Sequence, residues 1–422
     1  MPKKKTVAKK TKPAAFNLFE SDIVGHTQEA ISALRSKKRK EPLTLKSLAD
    51  IMSYILEIDE FALQAIFGSR GLRGRTIFEI IAGEGIGKTT LTFQLFGAFM
   101  RSNNSPCLFI NTEGENKLPS IERIKRALDP NPEVAEKMLQ AVSIQDAFEL
   151  RGAAEIFEEW VTTTREFLDE NGGQDVPMVV AIDTLSKIMS PNEAASIIPS
   201  DSKTATKAKN LGEGSNLEFS KLIHEWCRRL FYMMQKYNVL LIPVSHQNTK
   251  IDMSGFGSPM SADVSAGYNK TKRGGKAVDQ NSAMQITLKR TGFHKSSQNE
   301  VLGHKIQMRV VKSSVGADNK ILDYFLKTTY TEDEPPDNLE QPLDFSEGLA
   351  NMFVERKLLG TTVSRKRYTS DELGVDGVTS RAFSKEFKSR PDLVNKVGVI
   401  LGIEGYLPED WSDKTLASTD EV

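Results

Sequence analysis

The sequence predicts an α/β protein whose core is a mostly parallel central sheet, and three observations carry that prediction. A β-branched, aromatic run from Thr76 to Ala82 passes through the turn Gly83-Glu84-Gly85-Ile86-Gly87 into a helical pattern that opens at Lys88. Three more apolar strand candidates recur downstream with helical segments between them, which is the alternation that builds a parallel sheet. An amphipathic stretch before the last of them supplies a helix to cover it.

The first strand and its turn form a phosphate-binding pattern. Glycines let successive backbone N–H groups turn inward around phosphate oxygens, and the helix opening at Lys88 presents its positive dipole end to the same anion. Lys88 reaches the β- and γ-phosphates, and Thr89 ligates Mg²⁺. The cradle comprises Ala82, Gly83, Glu84, Gly85, Ile86, Gly87, Lys88, Thr89 and Thr90. The strict pattern wants glycine where Ala82 stands. Leu91, Leu95, Ala98 and Phe99 follow at helical spacing.

The next strand candidate, Cys107 to Asn111, runs on through Thr112 to Glu113. A carboxylate on the C-terminal edge of such a sheet sits near a γ-phosphate, positioned to activate water. Glu113 is the candidate base, and Glu115 is its competitor. The third strand, Met178 to Ile182, closes on Asp183, which is placed to hold Mg²⁺ beside the phosphate loop, although a strand-ending Asp also serves as a turn former or cap. Between the third strand and the fourth, Phe219, Leu222, Ile223, Trp226, Cys227, Leu230, Phe231 and Met234 recur at three- and four-residue spacing. His224 falls off that stripe. The fourth strand, Val239 to Val244, leads to His246, a polar residue on the same edge, with Gln247 as the alternative.

Two long polar stretches leave this edge. Pro191 to Ser215 carries Lys203, Lys207 and Lys209. Asn248 to Lys276 carries Lys250, Lys270, Lys272, Arg273 and Lys276, the stacking faces Phe256 and Tyr268, and a Gly274-Gly275 pair. Cations interleaved with aromatics suit a single-stranded nucleic acid, and loops of this length are functional or merely flexible. Ala283 to Arg290, Lys305 to Val311 and Ile321 to Leu326 read as a meander extending the sheet. Glu332 to Asp337 marks a linker, and Leu343 to Leu401 regains helical patterning as a small C-terminal domain. The polar end after Trp411 reads as disordered.

The 422 residues, 39% of them hydrophobic, suffice for one large core with small appendages. No run approaches a membrane span, and the lysine-rich start lacks the apolar core of a signal peptide, so a cytoplasmic location is expected. Cys107 and Cys227 lie in apolar segments and read as buried thiols. Lys+Arg and Asp+Glu balance at 56 each, so nucleic-acid contact must come from local clusters. One such cluster is the tail with Lys3, Lys4, Lys5, Lys9, Lys10 and Lys12, which reads equally as a solvated extension.

The order of these pieces resembles the RecA recombinases and, towards the C-terminus, the UvsX-type recombinases of bacteriophages. The resemblance runs from about residue 45 to 402. It is carried by Ala65 to Arg75 ahead of the first core strand, the phosphate loop with Glu84, Phe109-Ile110-Asn111-Thr112-Glu113, Asp183-Thr184, and Gly274-Gly275. Arg309-Val310-Val311-Lys312, Glu347 to Leu359 and Ala382 to Phe387 extend it. The resemblance implies a RecA-like P-loop NTPase core over 46–335, with DNA-binding loops at about 191–215 and 248–276. It implies an oligomerisation segment within residues 1–45, a DNA-gathering α+β domain over 343–402, and a tail over 403–422.

On that resemblance Glu113 is the catalytic glutamate, and His246 senses the γ-phosphate and leads into the second DNA loop. Lys312 reaches a neighbouring subunit's nucleotide, with Ser314 replacing its usual basic companion. The implied protein is an ATP- and Mg²⁺-dependent recombinase. It forms helical homo-oligomeric filaments on single-stranded DNA, pairs them with duplex DNA, and works with mediator and single-strand-binding proteins. A hexameric helicase or loader and a regulatory ATPase without DNA binding are the rival expectations.

Overall fold

A computed structural model of the chain describes residues 55–114, 117–190, 214–246, 248–249, 270–271, 275–295, 299–328, 341–362, 367–371, 373–404 and 406. The lysine-rich tail, Glu115, most of both long polar stretches, the acidic linker and the C-terminal end lie outside them.

The chain enters through the short strand β1 (Ile55–Glu57), which pairs antiparallel with β2 (Gly71–Arg73) around the helix α1 (Phe61–Phe67). Every residue of α1 is buried; Glu60 caps its N-terminus by accepting from the Ala62 N–H, and Gly68 ends it at φ 72°. The strand β3 (Ile77–Ala82) then runs through the glycine-bearing turn into α2 (Lys88–Asn103). Next come β4 (Cys107–Asn111), α3 (Ile121–Leu128), α4 (Pro132–Ala141), β5 (Val142–Asp146), α5 (Leu150–Glu170) and β6 (Met178–Asp183). After the first polar stretch, α6 (Gly214–Tyr237) leads into β7 (Val239–His246), and the short pair β8 (Asn248–Thr249) and β9 (Lys270–Thr271) brackets part of the second. The helix α7 (Gly275–Asn281) opens the meander β10 (Ser282–Lys295), β11 (Val301–Ser313) and β12 (Ile321–Lys327).

Among the described residues the central sheet has nine strands in the order β13-β12-β11-β10-β3-β7-β6-β4-β5, where β13 is Leu343–Asp344. The six strands from β10 to β5 are parallel, and the three at the other end are antiparallel. The protein is thus α/β with a mixed, mostly parallel sheet. The strand β5 escapes the sequence reading because it follows α4 with no intervening turn residue and has only two apolar positions, Val142 and Ile144. Phe231 corrects the expected stripe of α6: the residue is 45% exposed, whereas Ile223, Trp226, Cys227, Leu230 and Met234 are buried.

The C-terminal segment comprises α8 (Ser346–Glu355), the antiparallel sheet β14 (Gly360–Thr362), β15 (Arg367–Ser370) and β16 (Val375–Val378), and the helices α9 (Ser380–Lys388) and α10 (Pro391–Ile400). Its first strand is part of the large sheet, since Leu343 and Asp344 pair with Leu326 and Phe325. A continuous hydrophobic cluster joins it to the rest. Phe61 of α1 meets Phe353 at 6.2 Å and Phe387 at 4.9 Å, both edge-on, a favourable aromatic geometry. Among the described residues no helix is long and apolar enough to cross a membrane. Cys107 and Cys227 are buried and unbridged, and burial raises both thiols, that of Cys227 to about 11.

Candidate functional site

Five of the parallel strands, β3, β7, β6, β4 and β10, bring their C-terminal ends to one edge, and the candidate residues of the sequence reading converge there. Register places Ala82 beside His246 and Leu288, and Asp183 beside Asn111 and Val244. Ala82 is the last residue of β3 and fully buried, so this extended position accommodates a Cβ. Gly87 does not: its φ is +83°, and a Cβ there would come within 2.8 Å of Leu326. Gly87 is also the N-cap of α2 and makes no side-chain cap, and no acidic residue stands in that helix's first turn. The N-terminal amides of α2 are therefore left uncapped by side chains.

Lys88, only 5% exposed, turns its ammonium back over the loop and donates to the Gly83 carbonyl at 2.7 Å. It also meets His246 Nδ1 at 3.3 Å, while His246 Nε2 lies 2.7 Å from Glu113 Oε1. An ammonium only donates, so Nδ1 accepts and the ring proton sits on Nε2, which donates to Glu113. The result is a chain from lysine through imidazole to carboxylate. Burial lowers the Lys88 pKa, with the Asp183 and Glu113 charges opposing it. The hydrogen bond from His246 holds the Glu113 carboxyl below its ordinary value, against the opposing effect of burial.

Asp183 is almost wholly buried and accepts a short hydrogen bond from the Thr89 hydroxyl. Burial raises its pKa to about 6, although Thr89 and Lys88 pull the other way. The turn after β6 supports both pairs. Thr184 Oγ1 donates to Glu113 at 3.3 Å, and Ser186 Oγ accepts from the His246 backbone N–H at 2.8 Å. Thr112 accepts from the Thr184 N–H at 2.7 Å, tying the end of β4 to the same turn. Asn111 Oδ1 accepts from the Glu113 N–H at 3.2 Å.

Two clamps hold the glycine-bearing loop from opposite sides. Lys117 pairs with Glu84 at 3.1 Å, and Arg290 from β10 donates to the Gly85 carbonyl at 3.0 Å. Arg123 of α3 approaches Thr90 Oγ1 at 3.3 Å and the Lys327 carbonyl at 3.2 Å. Sequence reasoning named Thr184 beside Asp183 without giving it a role, and missed Ser186, Lys117, Arg123 and Arg290 as site residues. Ser186 follows Asp183 closely enough to be suspected, but nothing local distinguishes Arg290 from any other strand-exposed arginine.

Lys312 lies apart from this group. It pairs in register with Gln285, away from the C-terminal ends of the parallel strands, and its ammonium donates to the Asp279 carbonyl at 2.5 Å, at the C-terminal end of α7. Ser314 donates its backbone N–H to Ala283. Of the expected DNA-binding residues, Lys203, Lys207, Lys209, Lys250, Phe256, Lys272, Arg273 and Gly274 lie outside the described residues, as do the alternatives Glu115 and Gln247. Lys270 falls in β9, and Gly275 and Lys276 open α7.

The edge thus offers uncapped helix amides, a buried ammonium, a hydroxyl paired with a carboxylate, and a second carboxylate oriented by an imidazole. Among the described residues no group of three or more His, Cys, Asp or Glu side chains is placed to hold a metal ion. No protein-family model matches the chain.

Proposed function

We propose that this chain is a RecA-type, DNA-dependent ATPase that assembles into helical filaments on single-stranded DNA and catalyses homologous pairing and strand exchange. The observation that carries the ATPase part is the Lys88–His246–Glu113 chain, with distances of 3.3 and 2.7 Å, set beside the Thr89–Asp183 pair on one strand edge. Carboxyl-end edges of parallel sheets are where such folds bind ligands. The uncapped start of α2 and the glycine-bearing turn suit phosphate oxygens, and Lys88 supplies the countercharge.

Thr89 and Asp183 are both hard oxygen donors and fit Mg²⁺ bound together with substrate phosphates and water. When bound, Mg²⁺ supplies charge neutralisation of the phosphates. Glu113, held ionised by His246 and Thr184, orients the attacking water and takes its proton. His246 touches both Lys88 and Glu113, so a phosphate that draws Lys88 off Nδ1 changes the imidazole's partners, and His246 stands at the head of the second polar stretch. Recombination rests on the resemblance to RecA and UvsX-type proteins, on the cations of residues 191–215 and the cations and aromatics of 248–276, and on Lys312 as a cation for a neighbouring subunit's nucleotide.

The test is ATP hydrolysis with and without poly(dT), paired with electron microscopy in the presence of a slowly hydrolysed ATP analogue. Stimulation by the polynucleotide together with extended helical polymers supports the reading. Closed rings point to a hexameric motor, and hydrolysis indifferent to DNA points to a regulatory ATPase.

A further inference from the structure

Behind the strand edge, the centre of the sheet carries a polar network that the proposed chemistry does not use. Glu79, in the middle of β3, is 0% exposed. Its Oε1 accepts from Ser245 Oγ on β7 at 2.7 Å, and its Oε2 accepts from Gln285 Nε2 on β10 at 2.7 Å. The second N–H of the same amide donates to Asp279 Oδ1, in the last turn of α7, at 2.7 Å. Lys312 of β11 closes the series on the Asp279 carbonyl. A carboxylate in the core is costly to desolvate, and an apolar residue would satisfy a buried strand more simply.

The two ends of this series are informative. Ser245 immediately precedes His246, the residue that touches both Lys88 and Glu113. Asp279 belongs to the seven-residue helix that directly follows the polar stretch 248–274. Successive residues of a strand face opposite sides of the sheet. A shift of the β7 end that moves His246 on the site side therefore moves the Ser245 hydroxyl on the other. A buried donor or acceptor left unmatched pays its full desolvation penalty, so such a network moves as a unit rather than breaking one bond at a time.

We infer that Glu79 and Gln285 form a positioning relay between the His246 end of β7 and the helix α7, coupling occupancy of the triphosphate site to engagement of the polar stretch with single-stranded nucleic acid. This rests on the ATPase reading above. Gln285 is the pivot, because one amide group bridges the carboxylates of Glu79 and Asp279. Neither Glu79 nor Gln285 touches the reacting groups; both act through the placement of β7 and α7.

The test compares wild type, Gln285→Met, Asp279→Ala and Asp279→Asn. Gln285→Met keeps side-chain length and removes both donors. Asp279→Asn keeps an oxygen that accepts from Gln285, and Asp279→Ala removes it at a partly exposed helix end, where folding is not at stake. Basal hydrolysis within about twofold of wild type is expected in all three, with stimulation by poly(dT) reduced about fivefold or more in Gln285→Met and Asp279→Ala and retained in Asp279→Asn.

Equal stimulation in all four proteins overturns the relay while leaving the ATPase reading intact. If wild type itself is not stimulated, the DNA-dependent reading fails, and amide exchange of residues 278–281 decides on the relay alone. Protection that responds to ATP analogue in wild type but not in Gln285→Met upholds it, and an identical response overturns it. Should Gln285→Met fail to fold, Asp279→Ala against Asp279→Asn carries the same comparison.

Discussion

On the parallel side of the sheet, β3, β4 and β6 bury every residue, and β7 buries all but His246. On the antiparallel side, β11 and β12 alternate buried with exposed positions, and Val301, Val311 and Ile321 are each more than 40% exposed. The parallel strands are covered by helices on both faces and cannot present chemistry along their length, so polar function is driven to their ends. The antiparallel strands have one face free and serve instead as a platform: α8 seats on β12, and Leu326 of β12 reaches across to the glycine-bearing loop together with Arg290, which lies on the stretch of β10 past its parallel pairing with β3, where it pairs only with β11. Chemistry is concentrated at one half of the sheet and its support is spread along the other.

The largest effect should come from the parallel edge. Glu113→Gln keeps the size of the side chain and removes the base, so turnover should fall about 10²–10⁴-fold while ATP binding persists. Steady-state hydrolysis and equilibrium nucleotide binding measure the two, and unchanged hydrolysis transfers the role to Glu115.

The next probe is the antiparallel half's attachment. Phe353 packs edge-on against Phe383 and Phe387 at 5.3 and 5.1 Å, and Phe109 stacks on Phe93 at 4.8 Å. Phe353→Ala and Phe109→Ala should each cost about 3–5 kcal/mol in denaturant unfolding, in a single shared transition. A separate early transition in Phe353→Ala would show that the C-terminal segment unfolds by itself and would break the continuous core into two.

A pH series sharpens the contrast further. The folded Asp183 holds its proton up to about pH 6, against an ordinary value of 3.8. Its contribution is therefore fully present below about pH 4 and is lost as pH rises through 6, amounting to at most about 3 kcal/mol. The ligand-free protein should lose stability relative to Asp183→Asn over that window. Parallel stability curves for the two proteins would remove Asp183 from the buried, destabilised class.

The smallest effect belongs to the link between the halves. Arg290→Ala removes an exposed clamp on the Gly85 carbonyl and should cost about 1 kcal/mol or less in global stability, while speeding amide exchange in residues 83–87. Unchanged exchange there would mean that the antiparallel half does not restrain the loop.

Much of this was legible in the chain because local chemistry dictates it. Gly87, Lys88 and Thr89 sit at a strand-to-helix turn that their spacing announces, and Asp183 and His246 end strands whose apolar runs are unmistakable. Other parts were illegible for equally physical reasons. The edge strand β5 alternates weakly and abuts a helix, Phe231 lies at helical spacing but turns to solvent, and Leu343–Asp344 joins the large sheet through a pairing that no local pattern encodes.

Residue order alone determined which strands would be buried on both faces, where the chain would turn through glycine, and which polar side chains would fall at strand ends, since each depends on near neighbours and on side-chain periodicity. Only the tertiary structure decided that Lys88, His246 and Glu113, drawn from the start of α2, the end of β7 and the turn after β4, would lie in one hydrogen-bonded line. It alone decided that Glu79 would find Ser245 and Gln285, and that Lys312 would cap α7. Those pairings depend on strand order and register across the sheet, which are set by the packing of the whole core rather than by any segment of it.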